Sequence, residues 1–360
     1  MNNKPKKLLI AAGGTGGHFY PALVLADYWQ KKYGPGSVHL VFRQNEHFRR
    51  LLTEKKISAS ALTITGLKRK ISFQLFSYPF IILRALIESW RIIHKFQPDY
   101  LIGFGSYLSF PVVLAGFFSR IPIYLHEQNC LPGLANRCLA VLAKKIFISF
   151  AASSDYFPRR KTILSGYPIR PEIRAISRSA SEPEPKTWLN ILILGGSQGA
   201  SSINQAIQQV FIQEKSIGPK VKIIHLTGEK DFSVMENFYR EHNITAEVYP
   251  YFENIAELYR RSDLVISRAG AGTVAELFFL SLPAILIPYP SATARHQTLN
   301  ARLLTAVGPG YILEETGNWT ERLARKVKEF VLDQKLWYNR KIKELPEIPE
   351  EIIVKNITEK

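Results

Sequence analysis

Along this chain a short apolar run, a cluster of glycines and a helical pattern follow one another repeatedly. The first runs are Lys7–Ala12, Val38–Phe42, Tyr100–Gly103, Ile123–Leu125 and Lys145–Ser149. Runs that short and that apolar, separated by helical stretches, predict strands of a parallel sheet covered by helices on both faces. A second series begins at Leu189–Leu194 and continues through Val221–Leu226, Ala246–Tyr249, Leu264–Ser267 and Ala284–Ile287. The expectation is an α/β protein with two doubly wound, Rossmann-like domains. A length of 360 residues suits two domains at roughly 100–200 residues each. Between the series lies the polar stretch Arg170–Lys186, with Pro171, Pro183 and Pro185, a linker or exposed loop. The expected division is residues 1–166, residues 167–335, and a charged tail, 336–360, that can pack back on the first domain. Ligands bind at the carboxyl ends of strands in such sheets, so a central cleft with both sets of strand ends toward it is expected to hold the site.

The 47 Lys and Arg against 30 Asp and Glu leave a net charge of +17. That surplus favours nucleic acid, anionic lipid or a phosphorylated substrate without choosing among them, and a basic solvated surface is the plainest reading. The two cysteines, Cys130 and Cys138, have no metal-ligand spacing around them and read as reduced thiols of a cytosolic chain. The basic Met1–Lys7 segment precedes an apolar stretch too short for a signal peptide, and no run reaches the roughly 18 apolar residues of a spanning helix. The expectation is a soluble or peripheral protein.

Four strand-end motifs carry chemistry. Gly13-Gly14-Thr15-Gly16-Gly17-His18 follows the first strand, and Pro21 follows early in the next helix, where a missing N–H costs nothing. Glycines there let backbone approach a phosphate or sugar with a helix N-terminus behind it. This is no dinucleotide fingerprint: counted from Gly14, the third glycine position holds Phe19, and Val41-Phe42-Arg43 ends without an acid. Nor is it a P-loop, since no Gly-Lys-Ser/Thr follows. His18 is a candidate general base, because an imidazole's ordinary pKa near 6.5 suits removal of a hydroxyl proton at neutral pH. The structural alternative is a tight turn with a capping histidine.

The second motif is Gly195-Gly196-Ser197-Gln198-Gly199-Ala200, whose backbone N–H groups and Ser197 hydroxyl suit a diphosphate. The third, Arg268-Ala269-Gly270-Ala271-Gly272-Thr273-Val274-Ala275-Glu276, opens a helix. Its free N–H groups suit phosphates, and Glu276, read in the first turn, can accept from both hydroxyls of a ribose or simply complement the helix dipole. The fourth, His126-Glu127-Gln128-Asn129, is a polar strand end. No Asp-x-Asp pair occurs, so no metal site of paired carboxylates is expected and no cofactor; helix N-termini and basic side chains would balance leaving-group charge.

In this order the motifs resemble the MurG family of N-acetylglucosaminyltransferases. The resemblance extends over nearly the whole chain, through Gly103-Phe104-Gly105-Ser106-Tyr107, Gly166-Tyr167-Pro168-Ile169-Arg170 and His296-Gln297-x-x-Asn300-Ala301 as well. It implies a GT-B glycosyltransferase fold, UDP-N-acetylglucosamine as donor, undecaprenyl-diphosphate-linked N-acetylmuramoyl-pentapeptide as acceptor, and an inverting β-1,4 transfer. It also implies donor contacts from Thr15, Gly16, Gly17, Asn129, Arg170, Ser197, Phe252, Ala271, Gly272, Thr273, Val274, Ala275, Glu276 and Gln297. His18 is implied as the base, with acceptor contacts from Gly103, Gly105, Ser106, Tyr107 and Glu127. The sequence departs from the family at Ser106, usually glycine, at Ser201, commonly arginine, and at Ala294, usually aspartate.

A lipid-linked acceptor requires the enzyme to reach a membrane. Lys68, Arg69 and Lys70, followed by Phe73, Phe76, Phe80 and Arg84, combine cations with aromatics in a manner suited to an anionic bilayer surface. The expected location is peripheral, on the cytoplasmic face of the bacterial inner membrane, with no nucleic-acid partner. Two other functions fit the same fold: a UDP-N-acetylglucosamine 2-epimerase, which needs no lipid-facing segment, and a non-catalytic membrane scaffold, which needs neither His18, Ser197 nor Glu276.

Overall fold

The computed structural model describes residues 6–64, 74–176, 186–196, 199–291, 296–334 and 348–359. The chain forms two compact units, one of Met1–Arg170 with Pro346–Lys360, the other of Pro171–Leu345. In the first, strands and helices alternate: β1 (Leu8–Ala11), α1 (Gly16–Tyr33), β2 (Val38–Arg43), α2 (Glu46–Glu54), β3 (Ser58–Leu62), α3 (Gln74–Phe96), β4 (Tyr100–Gly103), α4 (Ser106–Phe118), β5 (Ile123–Glu127), α5 (Leu134–Leu139), β6 (Lys145–Ile148) and β7 (Thr162–Leu164). The second continues with α6 (Pro171–Arg174), β8 (Leu189–Leu194), α7 (Ser201–Gln213), β9 (Val221–Leu226), α8 (Phe232–Glu241), β10 (Ala246–Tyr249), α9 (Ile255–Arg261), β11 (Leu264–Ser267), α10 (Ala271–Leu280), β12 (Ala284–Leu286), α11 (His296–Val307), β13 (Gly310–Ile312) and α12 (Trp319–Leu332).

Both sheets are parallel throughout their recorded pairings. The first has the order β3-β2-β1-β4-β5-β6-β7 and the second β10-β9-β8-β11-β12-β13. Each therefore winds outward on one side, returns to its first strand, and winds out on the other. The reversal falls between β1 and β4, with Ala11 opposite Gly103, and between β8 and β11, with Leu194 opposite Ser267. Loops leaving these strands diverge to opposite faces and open a crevice above the carboxyl ends.

Apolar side chains on the two faces of the first sheet make separate cores. Leu8, Ile10 and Leu40 pack with Phe19, Leu25 and Trp29 of α1, while Leu9, Val41 and Leu101 pack with Ala85 and Ile93 of α3 and Val112 of α4. Ile353, Val354 and Ile357 of the C-terminal helix (Pro349–Thr358) are buried in the α1 core. Burial of aliphatic side chains this complete stabilises by about 1.5–3 kcal/mol each. Lys145 Nζ donates to Asn356 Oδ1 at 2.9 Å and further ties that helix down.

Pro21 lies at the sixth position of α1, a turn deeper than the sequence reading placed it. There it withholds a helical donor from the Gly17 carbonyl. The Tyr167 hydroxyl donates to that carbonyl at 3.4 Å, and the Arg170 guanidinium lies 4.8 Å from the Tyr20 ring centre. These contacts keep Tyr167 and Arg170 on the first unit, past the Gly166 boundary drawn from the sequence.

In the second unit His225 is fully buried. Its Nε2–H donates to Asn204 Oδ1 (3.0 Å) and its Nδ1 accepts from the Tyr239 hydroxyl (2.8 Å), while Asn204 Nδ2 donates to the Thr227 carbonyl and Asp231. Burial lowers the His225 pKa to about 3, with Asp231 pulling weakly upward. Once unfolded, the ring takes up a proton near the ordinary value of about 6.5. Between those values the unfolded chain binds more protons, so this contribution is full above about pH 6.5 and is lost as pH falls toward 3. The urea midpoint should fall steadily from neutral pH into the acid range. His225→Phe should be less stable at neutral pH but show a shallower acid slope; an unchanged slope would place the titration elsewhere.

Candidate active site

The first unit brings two glycine turns together at its switch point. After β1, Gly13 and Gly14 lead to Thr15, the N-cap of α1, whose carbonyl accepts from the N–H groups of His18 (3.1 Å) and Phe19 (3.0 Å). Thr15 and Gly17 are exposed, and a Cβ on Gly17 would meet nothing within 4 Å. After β4, Gly105 and Ser106 both have positive φ, 78° and 64°. A Cβ on Gly13 would lie 2.7 Å from Ser106 Oγ, so the two turns are packed against each other. Ser106 Oγ also accepts from the Leu108 N–H at 3.3 Å, which caps α4 from within. At position 106, where the resemblance expects glycine, serine thus holds a backbone shape that glycine adopts freely.

His18 is half-buried at the start of α1. Its Nδ1 lies 2.8 Å from the Phe104 carbonyl and 2.7 Å from Gln128 Oε1. Both partners are oxygens that only accept, so Nδ1 carries the proton and Nε2 the lone pair. No described residue bonds Nε2. An imidazole presented this way can remove a proton from a hydroxyl.

β5 runs two residues further than its apolar run, with His126 opposite Phe147 and Glu127 opposite Ile148. Glu127 is consequently buried. Its Oε1 accepts from the Asn129 N–H (2.9 Å) and Nδ2 (3.2 Å), and its Oε2 from Asn136 Nδ2 (2.9 Å) and the Gly133 N–H (3.2 Å). A carboxylate with four internal donors shapes the 128–133 loop. At Gly103 a Cβ would lie 3.0 Å from Val113 and 3.2 Å from Leu125, so this glycine admits close packing of α4 on the sheet. Tyr107 is half-buried against the α3–α4 core. Asn129 is half-buried, and its carbonyl accepts from Ser153 Oγ at 2.8 Å. Asn136, unnoticed in the sequence, donates to Glu127 and to the His126 carbonyl (3.0 Å). A buried asparagine inside a helix was its only signal. Burial pushes the Cys130 thiol up to about 12, with the nearby Glu127 charge adding to it and the residue's own backbone bond opposing, so it is no nucleophile.

In the second unit the 195–200 turn and the 268–276 turn meet at the β8/β11 switch point. Ser197 and Gln198 lie outside the described residues. Gly199 has φ 75°, and a Cβ there would lie 2.3 Å from the Thr227 carbonyl, so only glycine fits. Gly270 is the N-cap of α10 and offers no side chain, leaving the N–H groups of Ala271, Gly272 and Thr273 at the helix start. Glu276 belongs to the second turn, not the first, and is buried, with the Tyr259 hydroxyl donating to Oε2 at 3.1 Å. Val274 and Ala275 are buried beside it. Arg268 forms an ion pair with Glu315, donates to Ser202 Oγ (2.7 Å) and lies over Tyr289 (5.3 Å), bracing the turn. Asn300 Nδ2 donates to the Ala269 carbonyl at 3.3 Å from the opposite side. Gln297 Oε1 accepts from the Tyr289 N–H (2.9 Å), and half-buried Phe252 packs edge-on against Tyr249 (4.8 Å). Ala294 lies outside the described residues. Ser201 Oγ donates to Asp231 at 2.6 Å.

The Glu127 arrangement can be tested with an isosteric change. Glu127→Gln replaces one accepting oxygen by a donor facing other donors. It should cost about 1–3 kcal/mol, the penalty of a buried polar group left unsatisfied. Urea unfolding decides; parent-like stability would mean that the loop does not depend on the carboxylate.

Residues 8–148 match the glycosyltransferase family 28 N-terminal domain, and residues 190–353 the glycosyltransferase family 28 C-terminal domain. The chain is 37% identical over 331 residues to a protein of Thermodesulfovibrio yellowstonii, covering 90% of each chain. It is 37% identical over 342 residues to one of Halothermothrix orenii, covering 91% of each. Both relatives are UDP-N-acetylglucosamine--N-acetylmuramyl-(pentapeptide) pyrophosphoryl-undecaprenol N-acetylglucosamine transferases. Among solved structures, Acinetobacter baumannii MurG superposes with a TM-score of 0.75 at 26% identity, over 98% of this chain and 99% of that one. The Neisseria meningitidis UDP-GlcNAc 2-epimerase superposes at 0.66 with 15% identity, over 97% of this chain and 99% of that one, a likeness of fold alone. Two doubly wound parallel sheets, each with its glycine turns at the switch point, are the GT-B architecture, and the chain belongs to the MurG family of glycosyltransferase family 28.

Proposed function

We infer that this protein transfers N-acetylglucosamine from UDP-N-acetylglucosamine to the C4 hydroxyl of undecaprenyl-diphosphate-linked N-acetylmuramoyl-pentapeptide, with inversion, in peptidoglycan synthesis. The observation that carries this reading is the placement of the family's glycine motifs at the switch point of each sheet in a chain 37% identical to such transferases. In the transfer, His18 Nε2 takes the acceptor hydroxyl proton as the oxygen attacks the anomeric carbon and UDP leaves from the opposite face. The start of α10 and the 195–200 turn hold the UDP diphosphate, and Glu276 takes the ribose hydroxyls. Thr15, Gly16, Gly17, Asn129, Arg170, Phe252 and Gln297 complete the donor site, and the Gly105–Tyr107 turn the acceptor diphosphate site. Leaving-group charge falls to helix N-termini and basic groups rather than to a metal.

Membrane attachment is part of the same proposal. Along α3, Phe80 (75%), Leu83 (55%), Ile87 (44%) and Trp90 (51%) are exposed at helical spacing, beside Arg84 and Arg91. Ile81, Ile82 and Leu86 of the same helix pack inward instead. Phe117 and Phe118, at the end of α4, are also exposed. An apolar stripe with cations beside it suits an anionic bilayer surface on the cytoplasmic side of the bacterial inner membrane. Lys68, Arg69, Lys70 and Phe73 lie outside the described residues, as does the Phe76 side chain. No described helix is long and apolar enough to cross a membrane.

Incubated with UDP-N-acetylglucosamine and the lipid-linked muramoyl acceptor, the protein should form the disaccharide-lipid. His18→Ala should lower turnover roughly 10²–10⁴-fold with donor affinity little changed. Near-normal turnover in that variant would remove His18 as base. Separately, Leu83→Asp with Trp90→Asp should reduce sedimentation with anionic vesicles, and added salt should weaken parent binding. Parent-like sedimentation of a folded double variant would place the membrane contact elsewhere.

A further inference from the structure

Two side chains of the His126–Asn129 segment remain without a role in the transfer: His126 and Gln128, both buried. They form a continuous chain with His18. The His126 Nε2–H donates to the Gly166 carbonyl at 3.3 Å, leaving Nδ1 with its lone pair. Gln128 Nε2 lies 2.9 Å from that Nδ1 and 3.0 Å from the His126 carbonyl, so both amide hydrogens are used. The amide oxygen is thereby turned toward His18 Nδ1, 2.7 Å away.

We propose that Gln128, itself oriented by His126, is a positioning residue that fixes the His18 ring with its proton on Nδ1 and its lone pair on Nε2. This rests on the reading of His18 as the base. A flipped Gln128 amide would set its oxygen against the His126 carbonyl and against Nδ1, and lose both donors. Burial, with the nearby His18 adding to it and the Gly166 bond opposing, lowers the His126 pKa to about 4. Its Nδ1 therefore stays an acceptor at neutral pH, and the Phe104 ring stacks on the imidazole with centroids 4.9 Å apart. The Phe104 carbonyl is the second acceptor at His18 Nδ1. When Nε2 takes the acceptor proton, the imidazolium carries hydrogens on both nitrogens, and these two oxygens face the one that was there from the start. Gln128 itself gains and loses no proton.

The tautomer is read directly by nitrogen-15 NMR of the histidine side chains, with His18 assigned by the signal that vanishes in His18→Gln. The parent should show a protonated Nδ1 and a bare Nε2 on His18. Gln128→Leu should mix the two tautomers. It should also lower kcat about tenfold, a fraction of a full acid–base contribution, with KM for the donor within about twofold. The acid limb of kcat against pH should move to lower pH in this variant, because the imidazolium loses a partner. In Gln128→Glu the second carboxylate oxygen faces the His126 carbonyl and Nδ1, so kcat should stay below the parent value, while the acid limb should rise by about one pH unit, because a carboxylate favours the charged ring. Loss of packing alone would lower stability but leave the acid limb in place. A parent His18 with its proton on Nε2 would overturn the proposal. So would a Gln128→Leu protein with parent tautomer, kcat and acid limb. If His18→Ala keeps its turnover, the base reading falls, and the NMR arm alone decides whether Gln128 sets the ring.

Discussion

The pairing of β1 with β4, and of β8 with β11, is the constraint on which the rest is built. Strands adjacent in space but far apart in sequence force their following helices to opposite faces of the sheet. The turns between strand and helix then stand side by side over strand ends whose backbone bonding is already complete. No separate device is needed to bring the 13–17 turn to the 105–107 turn, or the 195–200 turn to the 268–276 turn. The glycines follow from that crowding. Gly13 has Ser106 against it and Gly199 has the Thr227 carbonyl, so a side chain would displace a neighbouring turn.

Polar groups near these turns act mostly on one another. Glu127 gathers four donors, Asn136 Nδ2 bridges that carboxylate and the His126 carbonyl, and Arg268 is shared among Glu315, Ser202 and Tyr289. Each is buried or nearly so, and the hydrogen bonds each makes offset the cost of taking a polar group out of water. Their value lies in holding exposed backbone still: Thr15, Gly17 and the start of α10 can present N–H groups because the residues behind them cannot relax.

The interior strands were legible in the sequence because a strand covered on both faces must be apolar along its whole length. β4, β8, β9 and β11 coincide with their apolar runs residue for residue, and β10 does so too although it lies at a sheet edge. Three strands gave no such signal: β3, β7 and β13, all at sheet edges. β3 reads Ser-Ala-Ser-Ala-Leu and is mostly half-exposed, so little apolar pattern is demanded of it. At the site, the glycine turns and His18 were legible because backbone demands there restrict residue type. The depth of Glu276 and the inward role of Glu127 were not, because nothing in a motif says which way a carboxylate faces. The exposed stripe on α3 was half legible: apolar residues alone do not reveal that Ile81 and Ile82 turn inward while Leu83 and Trp90 do not.

The first unit is built from two stretches of chain that lie at opposite ends of the sequence. Ile353, Val354 and Ile357 fill the core beneath α1, yet Pro171–Leu345, the whole of the second unit, comes between them and the rest of that core. During synthesis, which proceeds from the N-terminus, domains tend to fold in the order they are made. Here that order is inverted for the final step. The second unit has all its residues once Leu345 is translated, whereas the first must wait with an apolar strip on α1 uncovered until the helix Pro349–Thr358 emerges. The unit made first is thus the one completed last, and its unfinished state carries the exposed surface that a nascent chain must keep from aggregating.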